Sequence, residues 1–135
     1  MKYALIVYEN AVGFAARTNE DRQTYWAAWT AYGKALGQAG VMAGGNALQG
    51  PGTATVVRVA GERRQVQDGP FADSKEQLGG FFVIDVPSLD DALAWAERAP
   101  CTSMGGAIEV RPVLVNEACN AANAPAGASA VMAAG

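Results

Sequence analysis

Residues 78–88 of the chain read LGGFFVIDVPS, and this stretch decides the fold class. The part before the proline is almost wholly apolar, which predicts a strand with two apolar faces that needs cover on both sides. Pro87 ends this strand because it has no N–H for the sheet ladder. Ser88 and Asp91 then resemble a capping box, in which the serine hydroxyl accepts the N–H three residues further on. The stretch therefore predicts a strand followed directly by a helix.

The N-terminal part of the chain has the same order of strand and helix. Residues 3–8 predict a central strand because both of its faces are apolar. The polar and small residues that follow predict a loop, and Thr18 with Asp21 resembles a second capping box that opens a helix over residues 19–39. The apolar side chains of this helix recur at helical spacing and predict a buried stripe: Tyr25, Trp29, Tyr32 and Leu36.

The middle of the chain predicts a hairpin. The glycine-rich residues 44–52 indicate a short strand or an irregular link. A β-branched run over residues 53–59 is strand-like, and Gly61-Glu62 lies between it and residues 63–67. Two such runs around a short turn are typical of a β-hairpin.

The C-terminal part predicts a second helix and a last strand. The helix covers residues 89–98, and its predicted buried stripe is Leu89, Ala92, Leu93 and Ala96. The strand covers residues 107–113, where Glu109 and Arg111 alternate with apolar residues and therefore share a face.

This order is β-α-β, a hairpin, then β-α-β, which predicts an α+β fold of the ferredoxin-like (split βαβ) type with an extra β-hairpin. Such a sheet carries both helices on one face, whereas its central strands are apolar on both faces. We therefore expect a homodimer packed sheet to sheet, because a second subunit covers the bare face. The domain is expected to span residues 1–115, followed by an Ala/Gly-rich C-terminal tail over residues 116–135.

Composition excludes several classes of function. The 135 residues carry a net charge of −3 and contain no histidine. An acidic chain offers no basic surface for nucleic acid. Without histidine there is no Ser-His-Asp or Cys-His nucleophile and none of the usual zinc sites. A dinucleotide fingerprint and a P-loop are both missing, so we expect no cofactor and no bound metal.

The apolar runs are short. None is long enough for a membrane span, and the run at residues 3–8 is too short for the core of a signal peptide. We therefore expect a cytoplasmic protein that does not contact a membrane. In that reducing compartment Cys101 and Cys119 are expected to be free thiols rather than a disulfide.

The densest cluster of reactive side chains lies at residues 68–81, which read DGPFADSKEQLGGF. Loops placed by rigid strands are common positions for functional sites. Asp68, near the apolar Phe71, is the candidate general base or acid, and Lys75 is the candidate to hold an anionic substrate group. Alternatively, Asp68 is a turn former, and Lys75 and Glu76 are solvated surface charges.

Two further candidates lie outside this loop. Trp26 lies off the buried stripe of its helix and is a candidate to line a cleft. Arg111 either pairs with Glu109 on the sheet face or holds the loop over residues 68–77, and the ion pair is favoured because opposite charges on one face pair readily. The candidate substrate-binding residues are therefore Phe71, Glu76, Arg111 and Trp26.

Four segments together carry a family resemblance: DGPFADSKEQLGGFF at residues 68–82, the later IDV and IEVRPV, and the opening MKYALIVY. They closely resemble the DGPF-domain branch of the YCII-related proteins, and the resemblance covers about residues 1–114. It implies a dimeric α+β barrel of ferredoxin-like subunits, a superfamily that includes muconolactone-isomerase-like enzymes and small monooxygenases.

The resemblance also bears on function. YCII-like relatives carry a His-Asp pair proposed as an active site, but this chain has no histidine, so only Asp68 and its loop remain as candidates. Proteins of the DGPF branch are often encoded beside extracytoplasmic-function sigma factors. This association implies a ligand-sensing or regulatory role as an alternative to catalysis.

Two hypotheses follow. The first is a cofactor-free pocket for a small organic molecule; an enzyme of this kind would transfer protons in an isomerase or lyase reaction, with Asp68 as base and Lys75 or Arg111 orienting the substrate. The second is a non-catalytic ligand-sensing or partner-binding protein in transcription regulation. A pocket that encloses Asp68 beside aromatic rings favours the first, and an Asp68 held by backbone N–H groups favours the second.

Overall fold

The computed structural model describes residues 1–115. The predicted tail over residues 116–135, with Cys119, lies outside the described residues. The strands are β1 (Lys2–Glu9), β2 (Met42–Ala47), β3 (Thr55–Ala60), β4 (Arg63–Asp68), β5 (Gln77–Asp85) and β6 (Ala107–Pro112). The helices are α1 (Ala11–Ala16), α2 (Arg22–Gln38) and α3 (Leu89–Glu97), with 3₁₀ turns at Pro51–Thr53 and Pro100–Met104. Within the described range no helix is long and apolar enough to cross a membrane.

Four strands form one antiparallel sheet in the order β2-β5-β1-β6. Strand β5 therefore lies between β2 and β1, and β1 lies between β5 and β6. The unit formed by β1, α2 and β2 thus interlocks with the unit formed by β5, α3 and β6. This is the ferredoxin-like α+β fold that the order of elements predicted. Among residues 1–115, strands β3 and β4 pair only with each other and form the extra hairpin.

The two faces of the sheet have different environments. Strand register places Leu5 opposite Phe82, and both are fully buried beneath the helices. On the other face Ile6 lies opposite Phe81, and both are only half-buried. We call this second surface, with Ala4, Ile6, Phe81 and Val83 at its centre, the open sheet face. It is apolar, as the sequence predicted for both faces of the central strands.

Helix α2 covers the buried face, and its predicted stripe is confirmed. Tyr25, Trp29, Tyr32 and Leu36 are all buried. The Trp29 ring stacks on Phe82 with the ring centroids 6.0 Å apart, and the Tyr32 hydroxyl donates to the Trp95 carbonyl at 2.6 Å. These contacts join the helices to the sheet through aromatic packing.

The start of α2 differs from the prediction. The segment predicted as a loop contains α1, whose N-cap residue Asn10 accepts the Gly13 N–H at 3.0 Å. The Thr18–Asp21 capping box is wrong, because α2 begins at Arg22 and not at residue 19, and the Asp21 N–H donates to Asn19 Oδ1 at 2.8 Å instead of to the Thr18 side chain. Ser88 is a true cap, since its hydroxyl accepts the Asp91 N–H at 3.2 Å.

The buried stripe of α3 is also corrected. Ala92 and Ala96 are buried as predicted, but Leu89 and Leu93 are 48% and 45% exposed. The helix instead turns Trp95 toward the core, where its ring packs beside Tyr32 at a centroid distance of 6.4 Å. The small side chains of Ala92 and Ala96 and the ring of Trp95 therefore fill this part of the core without the two leucines.

Candidate functional site

A buried polar cluster lies where β1 ends. The strand's alternation places Glu9 on the same face as its buried apolar residues, and Glu9 is 2% exposed. Arg17 follows the short helix α1, and Tyr25 belongs to the buried stripe of α2. Three successive elements thus bring these side chains together, and we call them the Glu9 cluster.

The Glu9 cluster satisfies its own charges. Arg17 Nη2 lies 3.1 Å from Glu9 Oε1, and the Tyr25 hydroxyl lies 2.7 and 2.8 Å from the two Glu9 oxygens. Arg17 Nε donates to the Tyr25 oxygen at 3.1 Å. Burial, reinforced by the bond to Glu9, raises the pKa of the Tyr25 phenol well above its usual range, so the phenol stays protonated. A buried ion pair with this many hydrogen bonds avoids the cost of an uncompensated charge.

Two glycines make room for the cluster. A Cβ atom on Gly13 would lie 2.9 Å from Glu9 Oε2. A Cβ on Gly79 would lie 2.9 Å from both Glu9 Oε1 and Arg17 Nη2. The space left beside the cluster is about 10 Å³, enough for about one water molecule. The cluster itself has no room for an organic ligand in this conformation.

Trp26 lines this small space, next to the cluster. Its indole N–H donates to the Arg17 carbonyl at 3.0 Å, and the Arg17 guanidinium lies 5.6 Å from the centre of its ring. The sequence placed Trp26 beside a cleft; the structure places it on a water-sized cavity, and its substrate-binding role stays a prediction.

A much larger groove, of about 490 Å³, lies between the base of the hairpin and one end of the open sheet face. We call it the hairpin-base groove. Most of its lining is apolar, including Leu48, Pro51 and Phe71. The polar residues Tyr8 and Glu76 also line it. An apolar concavity with a few polar groups is the usual form of a small-molecule site.

Only some of the candidate residues in the loop over residues 68–77 line this groove. Phe71 and Glu76 line it, whereas Asp68 and Lys75 are exposed and are not among its lining residues. The Asp68 carboxylate is neither enclosed by aromatic rings nor hydrogen-bonded within residues 1–115, so the structure provides neither of the two arrangements that would distinguish its roles. The catalytic roles of Asp68 and Lys75 stay predictions.

The groove end of the loop is held by side-chain bonds. Gln77 donates to the carbonyls of Ala72 and Ser74 at 2.8 and 2.9 Å, and the Ser74 hydroxyl donates to the Glu76 carbonyl at 2.6 Å. These bonds order the backbone that carries Glu76.

Arg111 is connected to the groove through its contact with Glu109 and the contact of Glu109 with Tyr8. Its Nε is 3.3 Å from Glu109 Oε2, which confirms the ion pair on the sheet face. The Tyr8 hydroxyl donates to Glu109 Oε1 at 3.1 Å, and Tyr8 lines the groove. Partial burial, with the bond to Glu109, raises the pKa of the Tyr8 phenol, so the phenol stays protonated. Arg111 is therefore linked to the groove without lining it.

Sequence reasoning missed the Glu9 cluster and Tyr8. One signal was present, because Glu9 continues the alternation that buries the residues of β1 on its helix face. An acid at a buried position indicates a paired or hydrogen-bonded carboxylate, because acidic side chains are rarely buried without a partner. No comparable signal marks Arg17, since the segment before it was predicted as a loop.

Comparisons with known proteins agree with this fold. The family model described as the YCII-related domain matches residues 1–117. The chain is 32% identical over 114 residues to the uncharacterized protein R00369 of Rhizobium meliloti (strain 1021), which covers 84% of this chain and 92% of that protein.

A solved structure is also similar: the 5-chloro-2-hydroxyhydroquinone dehydrochlorinase TftG from Burkholderia phenoliruptrix AC1100, in complex with 2,5-dihydroxybenzoquinone. The match has a TM-score of 0.51 and 18% identity, and it covers 87% of this chain and 98% of the dehydrochlorinase chain. At this identity the likeness demonstrates a shared fold.

Proposed function

This chain belongs to the YCII-related family, and we propose that it binds a small, largely apolar organic molecule in the hairpin-base groove. The observation that carries the proposal is the groove itself, whose volume of about 490 Å³ lies within the range typical of small-molecule sites. The Phe71 ring supports it, because 76% of this residue is exposed at the groove although its side chain is apolar. A ligand that covers the ring removes apolar surface from water.

The lining favours a flat ring that carries oxygen substituents. Phe71 lines the groove with an aromatic ring that a planar ligand can contact, and the Arg58 guanidinium lies 5.1 Å from the centre of this ring. The Tyr8 hydroxyl and the Glu76 carboxylate are the hydrogen-bonding groups for hydroxyl or carbonyl substituents. The complex of the dehydrochlorinase with 2,5-dihydroxybenzoquinone supplies a chemically suitable probe.

The reaction class that we propose is a proton transfer of isomerase or lyase type that needs no cofactor. In the groove the Glu76 carboxylate accepts a proton from the ligand, and the Tyr8 hydroxyl donates one to the oxygen or carbon where negative charge develops. This assigns the base to Glu76, which lines the groove. Asp68 as base is the alternative, and the same experiment tests it.

A homodimer packed through the open sheet face is part of the proposal. Ile6, Phe81 and Val83 lie on that face and are half-buried, whereas the other face is covered by helices. An apolar face of this kind is stabilised when a second copy removes it from water.

Binding is tested by titrating 2,5-dihydroxybenzoquinone and a series of monocyclic aromatic acids into the full-length protein by calorimetry. Phe71→Ala is expected to weaken binding about tenfold, about 1.4 kcal/mol, because it removes the stacking surface. Val12→Ala is the control, since it truncates an exposed apolar side chain of a residue that does not line the groove. Saturable binding that is insensitive to Phe71→Ala contradicts the groove as the site, and no binding by any probe rejects the function.

Catalysis is separated from sensing by hydrogen exchange of the bound ligand. In D₂O the wild-type protein is expected to speed deuterium uptake at an acidic ligand position, and Glu76→Gln is expected to lose at least about 99% of this rate because the general base is gone. Loss in Asp68→Asn instead assigns the base to Asp68. Binding without exchange favours the ligand-sensing role over the enzyme.

A further inference from the structure

We propose that Arg17 is a positioning residue for the hairpin-base groove, although it does not line the groove. Its guanidinium holds the junction of β2 and β5, from which one wall of the groove extends. This inference rests on the proposed binding function, and it assigns the Glu9 cluster a role in shaping that site.

The contacts of Arg17 define the junction. Nη1 donates to the Leu48 carbonyl, and Nη2 donates to the Gly79 carbonyl at 3.0 Å. The Leu48 N–H donates to the same Gly79 carbonyl at 2.9 Å. One side chain thus ties together the two strands at the point where β2 has just ended.

The groove wall begins at this point. Leu48 is the first residue after β2, and its side chain lines the groove. The chain continues into the 3₁₀ turn Pro51–Thr53, whose two end residues also line the groove. The position of this wall depends on how its two ends are held: Arg17 holds Leu48 at one end, and at the other end the Gly69 N–H donates to the Ala54 carbonyl at 2.8 Å.

The guanidinium is itself held in one orientation. Glu9 and Tyr25 bind one edge of the guanidinium, and its central carbon lies 4.8 Å from the centre of the Phe14 ring. The Arg17 side chain is 12% exposed. An arginine has five donors in a rigid plane, so it can bind a carboxylate, a phenol oxygen and two carbonyls together. A lysine keeps the charge opposite Glu9, but as a flexible point charge it cannot hold both carbonyls in this geometry.

Gly79 provides a second way to disturb the junction without changing any charge. A Cβ at this position would lie 2.9 Å from Arg17 Nη2, so Gly79→Ala displaces the guanidinium. Gly33→Ala is the matched glycine control, because a Cβ on Gly33 meets no atom of residues 1–115 within 4 Å.

The first measurement is amide hydrogen exchange by NMR on the full-length protein. Arg17→Lys and Gly79→Ala are expected to speed exchange of the Leu48 N–H about tenfold, the effect of losing one hydrogen bond to a charged group. Tyr32→Phe is the second control: it removes a buried hydroxyl bond from the other end of α2 and lowers global stability without touching the junction. It is expected to leave the exchange rate of the Leu48 N–H unchanged, because this N–H exchanges through local opening of the junction and not through global unfolding.

The second measurement is the dissociation constant for the strongest probe of the binding experiment, well below the melting temperature. Arg17→Lys and Gly79→Ala are expected to raise it about tenfold, while Tyr32→Phe and Gly33→Ala leave it within about twofold. Unchanged Leu48 exchange in Arg17→Lys overturns the inference. Faster exchange with unchanged affinity overturns it as well, because the junction would then not determine the site.

The two proposals fail in different ways. If no probe binds the wild-type protein, the proposed function fails, and Leu48 exchange still decides whether Arg17 holds the wall. If Arg17→Lys fails to fold, Gly79→Ala carries both measurements, because it keeps the Glu9 and Arg17 charges.

Discussion

At the scale of single residues, Glu9 is the main departure from an ordinary apolar core. Its carboxylate is buried at the end of a central strand, and Arg17 and Tyr25 compensate it at hydrogen-bond distances. Removing one partner of such a pair costs several times more than the pair contributes, because the remaining charge stays buried. Arg17→Lys, which retains the charge, is therefore a better probe than Arg17→Met.

Three buried groups with raised pKa values, one thiol and two phenols, predict that the folded protein loses stability at alkaline pH. Burial raises the pKa of the Cys101 thiol from 9.0 to about 12, and it raises the pKa values of Tyr25 and Tyr32 above their usual value of 10.0. The folded state therefore keeps protons that the unfolded chain releases. Stability is fully present below about pH 9 and falls above it, by about 1.4 kcal/mol per pH unit for each group in its window.

Urea denaturation at intervals from pH 7 to pH 11 measures this loss. Cys101→Ala is expected to remove the fall that begins near pH 9 and to leave the fall that begins near pH 10, since the two tyrosines remain. The two proteins are compared by the slope of the free energy of unfolding against pH, because Cys101→Ala also lowers stability at pH 7 through lost packing. A flat profile up to pH 11 in the wild-type protein would contradict the assignment.

At the scale of elements, two glycines in regular structure predict opposite effects of alanine. Gly33 lies inside α2, and within the described part of the chain its added Cβ meets no atom closer than 4 Å. Gly33→Ala is expected to raise the free energy of unfolding by about 0.5–1 kcal/mol, because alanine loses less backbone entropy in a helix. Thermal denaturation followed by circular dichroism measures the shift.

Gly45 lies in β2 with a φ of +150°, and its added Cβ would be 2.5 Å from the Phe81 carbonyl oxygen. Gly45→Ala is therefore expected to lower the free energy of unfolding by about 1–3 kcal/mol, through backbone strain and displacement of the neighbouring strand. Equal stability of the Gly45→Ala and wild-type proteins would show that the β2–β5 edge relaxes freely.

The elements also show where local patterns are sufficient. The hairpin was predicted from two β-branched or alternating runs around Gly61-Glu62, and it forms there because turn geometry is a local property. Helix α1 was not predicted, because six residues contain too little periodicity to be distinguished from a loop. Its Asn10 cap is a local signal that is interpretable only once the end of β1 is known.

At the scale of the whole molecule, the open sheet face predicts association. The wild-type protein is expected to have a solution mass of twice 13.9 kDa by light scattering. Val83→Lys, which places a charge in the centre of that face, is expected to reduce the mass to that of one chain while the far-UV circular dichroism stays unchanged.

Leu93→Lys is the control for this experiment, because Leu93 is 45% exposed on α3, on the opposite side of the sheet. It is expected to leave the mass of the assembly unchanged. A wild-type protein that has the mass of a single chain at all concentrations tested would rule out packing through the open sheet face.

The candidate site was predictable only in part. The sequence indicated that the loop after the hairpin carries the site, and Phe71 and Glu76 line the groove there. Asp68 and Lys75 belong to the same loop but lie outside the lining, because position along a loop does not determine which side chains face a concavity. The ion pair of Arg111 with Glu109 was predictable because alternate residues of a strand share a face.

The sequence by itself determined the order of the elements other than α1, the apolar character of both sheet faces and the buried stripe of α2. These properties follow from periodicity, turn residues and strand termination, each of which acts over a few residues. Only the tertiary structure decided that Glu9, Arg17 and the Gly79 carbonyl meet, and that a groove forms at the base of the hairpin. Such contacts depend on strand pairing between distant segments, where small shifts in register or helix rotation decide which side chains come together.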